Sequence, residues 1–96
     1  MATYSPGDLV DVTFTVTDPR GRMLPEYFRV EQSDGGVWTS YADDGDWATT
    51  IEWERRRHDW LARATWRIPE QAAGTYRLVY LDGSATTTTP PFSVAV

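Results

Sequence analysis

The sequence predicts an all-β, immunoglobulin-like sandwich of about seven strands, and three observations carry that reading. Apolar and polar residues alternate with period two along most of the chain. Turn-forming clusters interrupt the alternation roughly every 8 to 12 residues, the spacing of a sandwich or barrel. No stretch shows the 3.6-residue period of a useful helix. Seven short strands in about a hundred residues fit the immunoglobulin-like sandwich better than a closed barrel.

The elements follow in order. From Leu9 to Thr17, Val10, Val12, Phe14 and Val16 share one face and Asp11, Thr13, Thr15 and Thr17 the other. Asp18-Pro19-Arg20-Gly21 then reads as a turn, with Pro pre-set for its first central position. A second strand runs from Tyr27 to Gln32 with Phe28 and Val30 inward, and stops at Ser33-Asp34-Gly35-Gly36. A third covers Val37 to Ala42. Asp43-Asp44-Gly45-Asp46 is expected to fold it back as a hairpin onto a fourth strand, Thr49 to Arg55, where Ile51 and Trp53 share a face. The polar Arg55-Arg56-Arg57-His58-Asp59 reads as a connection. Beyond it Ala62, Ala64, Trp66 and Ile68 alternate with Arg63, Thr65 and Arg67 until Pro69, which cannot donate into a ladder. Tyr76, Leu78 and Tyr80 mark a sixth strand from Thr75 to Leu81. Asp82 to Pro91 reads as a Thr-rich loop or extended linker, and Phe92, Val94 and Val96 as the closing strand. Tyr76 opens the sixth strand directly after Gly74-Thr75, the place of a tyrosine corner, whose hydroxyl bonds back to loop backbone.

Composition narrows the function. The chain is 41% apolar and 24% charged with a mean hydropathy of -0.48, a globular balance in 96 residues that hold one small core. With no Cys, stability rests on large side chains: five Trp, five Tyr and three Phe. Fourteen acids against nine bases, all Arg, give a net charge of -5, which argues against nucleic acid as a partner. No apolar h-region follows Met1 and no apolar run approaches the length of a membrane span, so neither a signal peptide nor a span is expected in this stretch. One His and no Cys leave no four-ligand zinc site of N and S donors and no multi-histidine catalytic zinc. His58 sits beside three arginines, which disfavour the imidazolium that a general base must become, so it reads as a solvated loop residue. No catalytic residue and no cofactor-binding residue is expected in this chain.

Three features are candidate sites. Asp43, Asp44 and Asp46 around Gly45 are a weak calcium candidate: carboxylates at a turn converge on hard cations, although the EF-hand spacing is absent and a soluble turn explains them as well. Trp38, Trp47, Trp53, Trp60 and Trp66 are too many for one small core. Trp53 and Trp66 alternate with aliphatics and are expected inside, whereas Trp47 and Trp60 flank turns and suit a sugar platform, a membrane anchor or a docking face. Arg55, Arg56 and Arg57 beside Trp60 have the make-up of a headgroup-binding spot, and equally of arginine stems covering an exposed aromatic.

Several segments in order, Tyr4-Ser5-Pro6-Gly7-Asp8, Phe28-Arg29-Val30-Glu31, Asp43-Asp44-Gly45-Asp46-Trp47-Ala48-Thr49, Trp66-Arg67-Ile68-Pro69-Glu70 and Gly74-Thr75-Tyr76-Arg77, resemble the C-terminal domain of neutral/alkaline non-lysosomal ceramidases. The resemblance also takes in Asp18-Pro19-Arg20 and Trp53-Glu54-Arg55 and runs through almost the whole chain; it departs at Asp82 to Pro91, which is shorter and richer in Thr. It implies an immunoglobulin-like module, residues 1-96, at the C-terminus of a larger enzyme whose other domain holds a catalytic zinc and hydrolyses ceramide to sphingosine and a fatty acid. Nothing catalytic transfers to these residues. The implied partner is that catalytic domain, with a membrane surface as a further possibility, a monomer expected in isolation, and a secreted or cell-surface location if the parent follows the family. The interface candidates are Trp47, Arg55, Arg56, Arg57 and Trp60; the alternative is a free-standing binding module for a lipid surface, a glycan or a protein.

Overall fold

The computed structural model describes residues 2–19, 27–82 and 85–95. They form nine strands and no helix: β1 (Ala2–Tyr4), β2 (Leu9–Val16), β3 (Phe28–Asp34), β4 (Val37–Asp43), β5 (Thr49–Arg55), β6 (Trp60–Arg67), β7 (Gly74–Asp82), β8 (Ala85–Thr88) and β9 (Phe92–Val94). The larger sheet runs β1-β9-β7-β3-β4 with β8 also on β7, and the smaller runs β2-β6-β5. β1 lies parallel to β9, and every other pair is antiparallel. Two sheets with these neighbours are an immunoglobulin-like sandwich, the fold class expected.

Three expectations need correction. β1 and β8 join the seven strands read from the sequence: a three-residue strand is too short to show a period, and Ala-Thr-Thr-Thr has no apolar alternation, only the β-branched residues that suit a sheet. β4 and β5 are not a hairpin. β4 pairs with β3 and β5 with β6, so residues 44–48 carry the chain from one sheet to the other. The true hairpin partner of β4 is reached through Gly35 and Gly36, at φ 60° and 86°, which is the positive-φ pair that a two-residue hairpin turn demands. The closing strand stops at Val94; the expected turn at Arg20-Gly21 and the inward Val96 lie outside the described residues.

The core fills by matching large residues with small ones across neighbouring strands. On central β6, Ala62 and Ala64 are fully buried. Ala62 lies in register between Phe14 and Trp53, so the smallest side chain makes room for the largest neighbours. Four residues on the pattern inverts: Trp66 sits between Val10 and Thr49. Its ring is 5.1 Å from Tyr76 and 5.8 Å from Tyr41, and Tyr76 and Phe92 continue the aromatic contact through the larger sheet. Trp66 is fully buried, as expected, and its indole N–H has no hydrogen-bond partner among the described residues. Trp53 is only half-buried: its ring packs edge-on to Tyr27 at 4.9 Å while its N–H donates to the Tyr80 hydroxyl at 3.0 Å. β5 is an edge strand, so its inward side chains stay partly open to solvent.

Tyr76 forms the expected corner. Its hydroxyl donates to the Ala73 carbonyl at 3.1 Å and accepts from the Gln32 side chain at 3.2 Å, tying β7 to β3 and to the loop before it. Burial raises its pKa above the ordinary 10.0. Removing the hydroxyl leaves the Gln32 amide still donating to the Ala73 carbonyl at 3.3 Å at a partly wetted edge, so Tyr76→Phe is expected to cost about 1 kcal/mol, read as a lower denaturant midpoint at unchanged slope. Trp66→Ala empties the centre of the sandwich and is expected to cost about 3 to 5 kcal/mol by the same measurement.

Candidate docking surface

The sequence-chosen candidates fall in two places. Residues 43–48 precede β5, whereas residues 55–60 run from its last residue to the first of β6; the six residue steps between Thr49 and Arg55 separate the two segments by about 20 Å. No single compact contact unites them.

The segment before β5 is tightly knit. Thr49 is buried, and its hydroxyl lies 2.8 Å from the carbonyls of both Asp43 and Asp46. Thr49 N–H also donates to the Asp46 carbonyl, and Asp46 N–H to that of Asp43. The three carboxylates are spent locally. Asp43 accepts from Gly45 N–H at 2.9 Å, Asp46 accepts from Ala48 N–H at 3.1 Å, and Asp44 accepts from Tyr27 N–H. Those of Asp43 and Asp46 are the side-chain-to-backbone turns for which Asp is favoured, whereas Asp44 ties the segment to a residue 17 positions earlier. Among the described residues no three His, Cys, Asp or Glu side chains are grouped to hold a metal ion, so the structure does not assemble the calcium candidate. The Arg67 N–H donates to the Ala48 carbonyl, the Ile68 backbone pairs with Gly7 and Asp8, and the Arg67 guanidinium donates to the Gly7 carbonyl. Segments far apart in sequence thus brace one end of the smaller sheet. From that brace Trp47 projects with 88% of its surface exposed.

The arginine run lies at the tip of the β5–β6 hairpin. Arg56 is already paired, its guanidinium bidentate on Asp59 at 2.6 and 2.7 Å, which lowers the Asp59 pKa and raises that of Arg56. Arg55 and Arg57 remain exposed beside His58, in an open polar cleft shared with Val16, Asp18 and Trp60. Trp60 is half-buried and packs on the core, so it presents little apolar surface. A similar bidentate pair, Arg63 on Asp11, lowers the Asp11 pKa on the outer face of the smaller sheet.

Sequence reasoning missed an ionic cluster on the outer face of the larger sheet. Glu31 is buried although charged, and takes Arg29 at 2.9 Å on one oxygen and Arg77 at 2.7 and 2.8 Å on the other. The Arg77 guanidinium also lies over the Trp38 ring, 4.2 Å from its centroid. The signal was present: Arg29 and Glu31 stand two apart on one strand face, and register places Arg77 directly opposite Glu31. What the sequence lacked was the pairing of β3 with β7.

The fold and this surface define an immunoglobulin-like sandwich whose most exposed aromatic stands on a braced crossover between sheets. A family model described as neutral/alkaline non-lysosomal ceramidase, C-terminal, matches residues 1–93. The neutral ceramidase of Mycobacterium tuberculosis is 36% identical over 83 residues, covering 82% of this chain and 13% of that protein. Neutral ceramidase B of Dictyostelium discoideum is 33% identical over 84 residues, 80% of this chain and 11% of its own length. Among solved structures, neutral ceramidase from Pseudomonas aeruginosa superposes with a TM-score of 0.88 at 24% identity, over 100% of this chain and 18% of that one. The BTLA ectodomain, with a TM-score of 0.50 at 14% identity over 97% of this chain and 88% of its own, shares the immunoglobulin-like fold. The chain belongs to the C-terminal domain family of the neutral/alkaline non-lysosomal ceramidases.

Removing Glu31 would leave Arg29 and Arg77 facing each other across the sheet without their shared anion. Because both arginines keep some contact with water, Glu31→Ala is expected to cost about 1 to 3 kcal/mol, less than a fully buried pair. A smaller loss for Glu31→Gln in the same denaturant titration would reflect the packing that the amide retains.

Proposed function

We propose that this chain is a non-catalytic C-terminal module of a neutral ceramidase-like lipid amidohydrolase, docking on and stabilising a zinc catalytic domain that hydrolyses ceramide to sphingosine and a fatty acid. The observation that carries the reading is the family match over residues 1–93 in a chain that spans only 13% of its Mycobacterium tuberculosis relative. The greater part of a ceramidase lies outside the matched segment. The residues described here do not fit a zinc site: the single His58 is exposed in an arginine-rich hairpin, and no metal-holding group of side chains is assembled among them. Hydrolytic chemistry is therefore assigned to the partner domain.

For docking, the crossover at Asp43 to Trp47 is favoured over Arg55 to Trp60. An indole held out on a rigid loop gives up little conformational freedom on contact, and Trp is enriched where interfaces carry their energy. The hairpin tip instead offers one arginine neutralised by Asp59 and a tryptophan already packed on the core. A membrane role for the arginines meets the opposition of a net charge of -5 at an anionic surface.

The test is a chimera in which this chain replaces the matching segment of the Mycobacterium tuberculosis neutral ceramidase. Ceramide hydrolysis is expected to stay within about tenfold of that parent, with Trp47→Ala lowering both activity and thermal midpoint. A chimera no more active than the parent lacking the segment, or chelator-sensitive turnover by this chain alone, would overturn the reading.

A further inference from the structure

Among the described residues, three of the four large hydrophobic side chains left exposed lie on one stretch of chain: Val37 at 63%, Tyr41 at 36% and Trp47 at 88%. The first two belong to β4, the outermost strand of the larger sheet, and the third to the loop that leaves it. Among the described residues β4 pairs only with β3, so the hydrogen-bonding groups along its other edge have no strand to meet. Sheets guard such edges with lysine, proline, inward-pointing charge or a β-bulge. Val37-Trp38-Thr39-Ser40-Tyr41-Ala42 has no lysine, proline or charge; its one guard is a β-bulge at Tyr41, the extra residue between Ala42 opposite Val30 and Ser40 opposite Glu31. The run Val37 to Ser40, in unbroken register up to that bulge, keeps an open edge with Tyr41 and Trp47 beyond it.

Charge says what kind of segment meets it. From Val30 to Glu54 there is no basic residue, while seven of the chain's 14 acids fall there: two on β3, three in residues 43–46 and two on β5. Glu31 is neutralised by Arg29 and Arg77, but Asp34 and Asp43 stand exposed at the two ends of β4, with Asp44 and Asp46 beside them. A second copy of this chain would bring the same acids against themselves, so like-charge repulsion disfavours pairing of β4 with β4.

We propose that β4 receives, as an added strand, an extended arginine- or lysine-bearing segment of the catalytic domain, with Trp47 seated against that domain beside it. This rests on the docking reading above and names its geometry. Main-chain hydrogen bonds would supply affinity, and the acids at both ends of β4 would select and align a cationic strand.

The experiment compares amide hydrogen exchange of this chain alone with that of the same residues in the full-length chimera. Docking by strand addition is expected to slow alternate amides of residues 37–40 by at least about tenfold. The variant Asp34→Asn/Asp44→Asn/Asp46→Asn keeps the side-chain oxygens that accept from the backbone while losing three charges. It is expected to lower the thermal midpoint of the chimera at low salt, with the gap to wild type closing as salt is raised. Slowed exchange elsewhere on the module with β4 unchanged overturns strand addition and leaves the docking reading standing. No slowing anywhere in an intact chimera overturns both.

Discussion

The surface of this module depends on how the backbone of residues 43–49 is satisfied while the chain leaves one sheet for the other. A crossover between sheets has no ladder to pair with, and its polar groups must find partners locally or remain in water. Here one buried hydroxyl, that of Thr49, gathers two carbonyls, and three aspartates each accept a backbone N–H. The loop is held by its own hydrogen bonds and by Arg67 from the neighbouring strand, so no apolar anchor has to turn inward. That frees Trp47 to face outward and places beside it the edge of β4 that meets no strand among the described residues. The same carboxylates that suggest a cation site in the sequence fix the shape of this turn by accepting backbone N–H groups.

The strand faces were legible in the sequence because period-two alternation is a direct imprint of burial. Val10, Phe14 and Val16, Ala62, Ala64 and Trp66, and Tyr76, Leu78 and Tyr80 all point into the core as the alternation requires. The tyrosine corner was legible too, since Gly74-Thr75-Tyr76 combines a turn with the start of a strand. Pairing was not. A stretch such as Asp43-Asp44-Gly45-Asp46 has the same composition whether it folds a hairpin or crosses between sheets, because both need polar residues that bond their own backbone. The difference lies in long-range register, which a local pattern does not encode. For the same reason Glu31 and Arg77, 46 positions apart, gave no sign of each other, and Trp47 and Trp60 looked alike until the packing of Trp60 on the core was visible.

Parallel pairing of β1 with β9 has a mechanical consequence. The register sets Ala2 beside Phe92 and Tyr4 beside Val94, so the chain enters this pair at one end and leaves it at the other. Tension drawn between residue 2 and residue 95 pulls the two strands lengthwise past each other, and their hydrogen bonds bear the load together. A hairpin pulled from its open end would release such bonds one at a time. If neighbouring parts of a longer polypeptide tug on this sandwich, the first structure to take the strain is therefore a clasp that resists sliding, and the aromatic interior behind it stays shielded until that clasp slips.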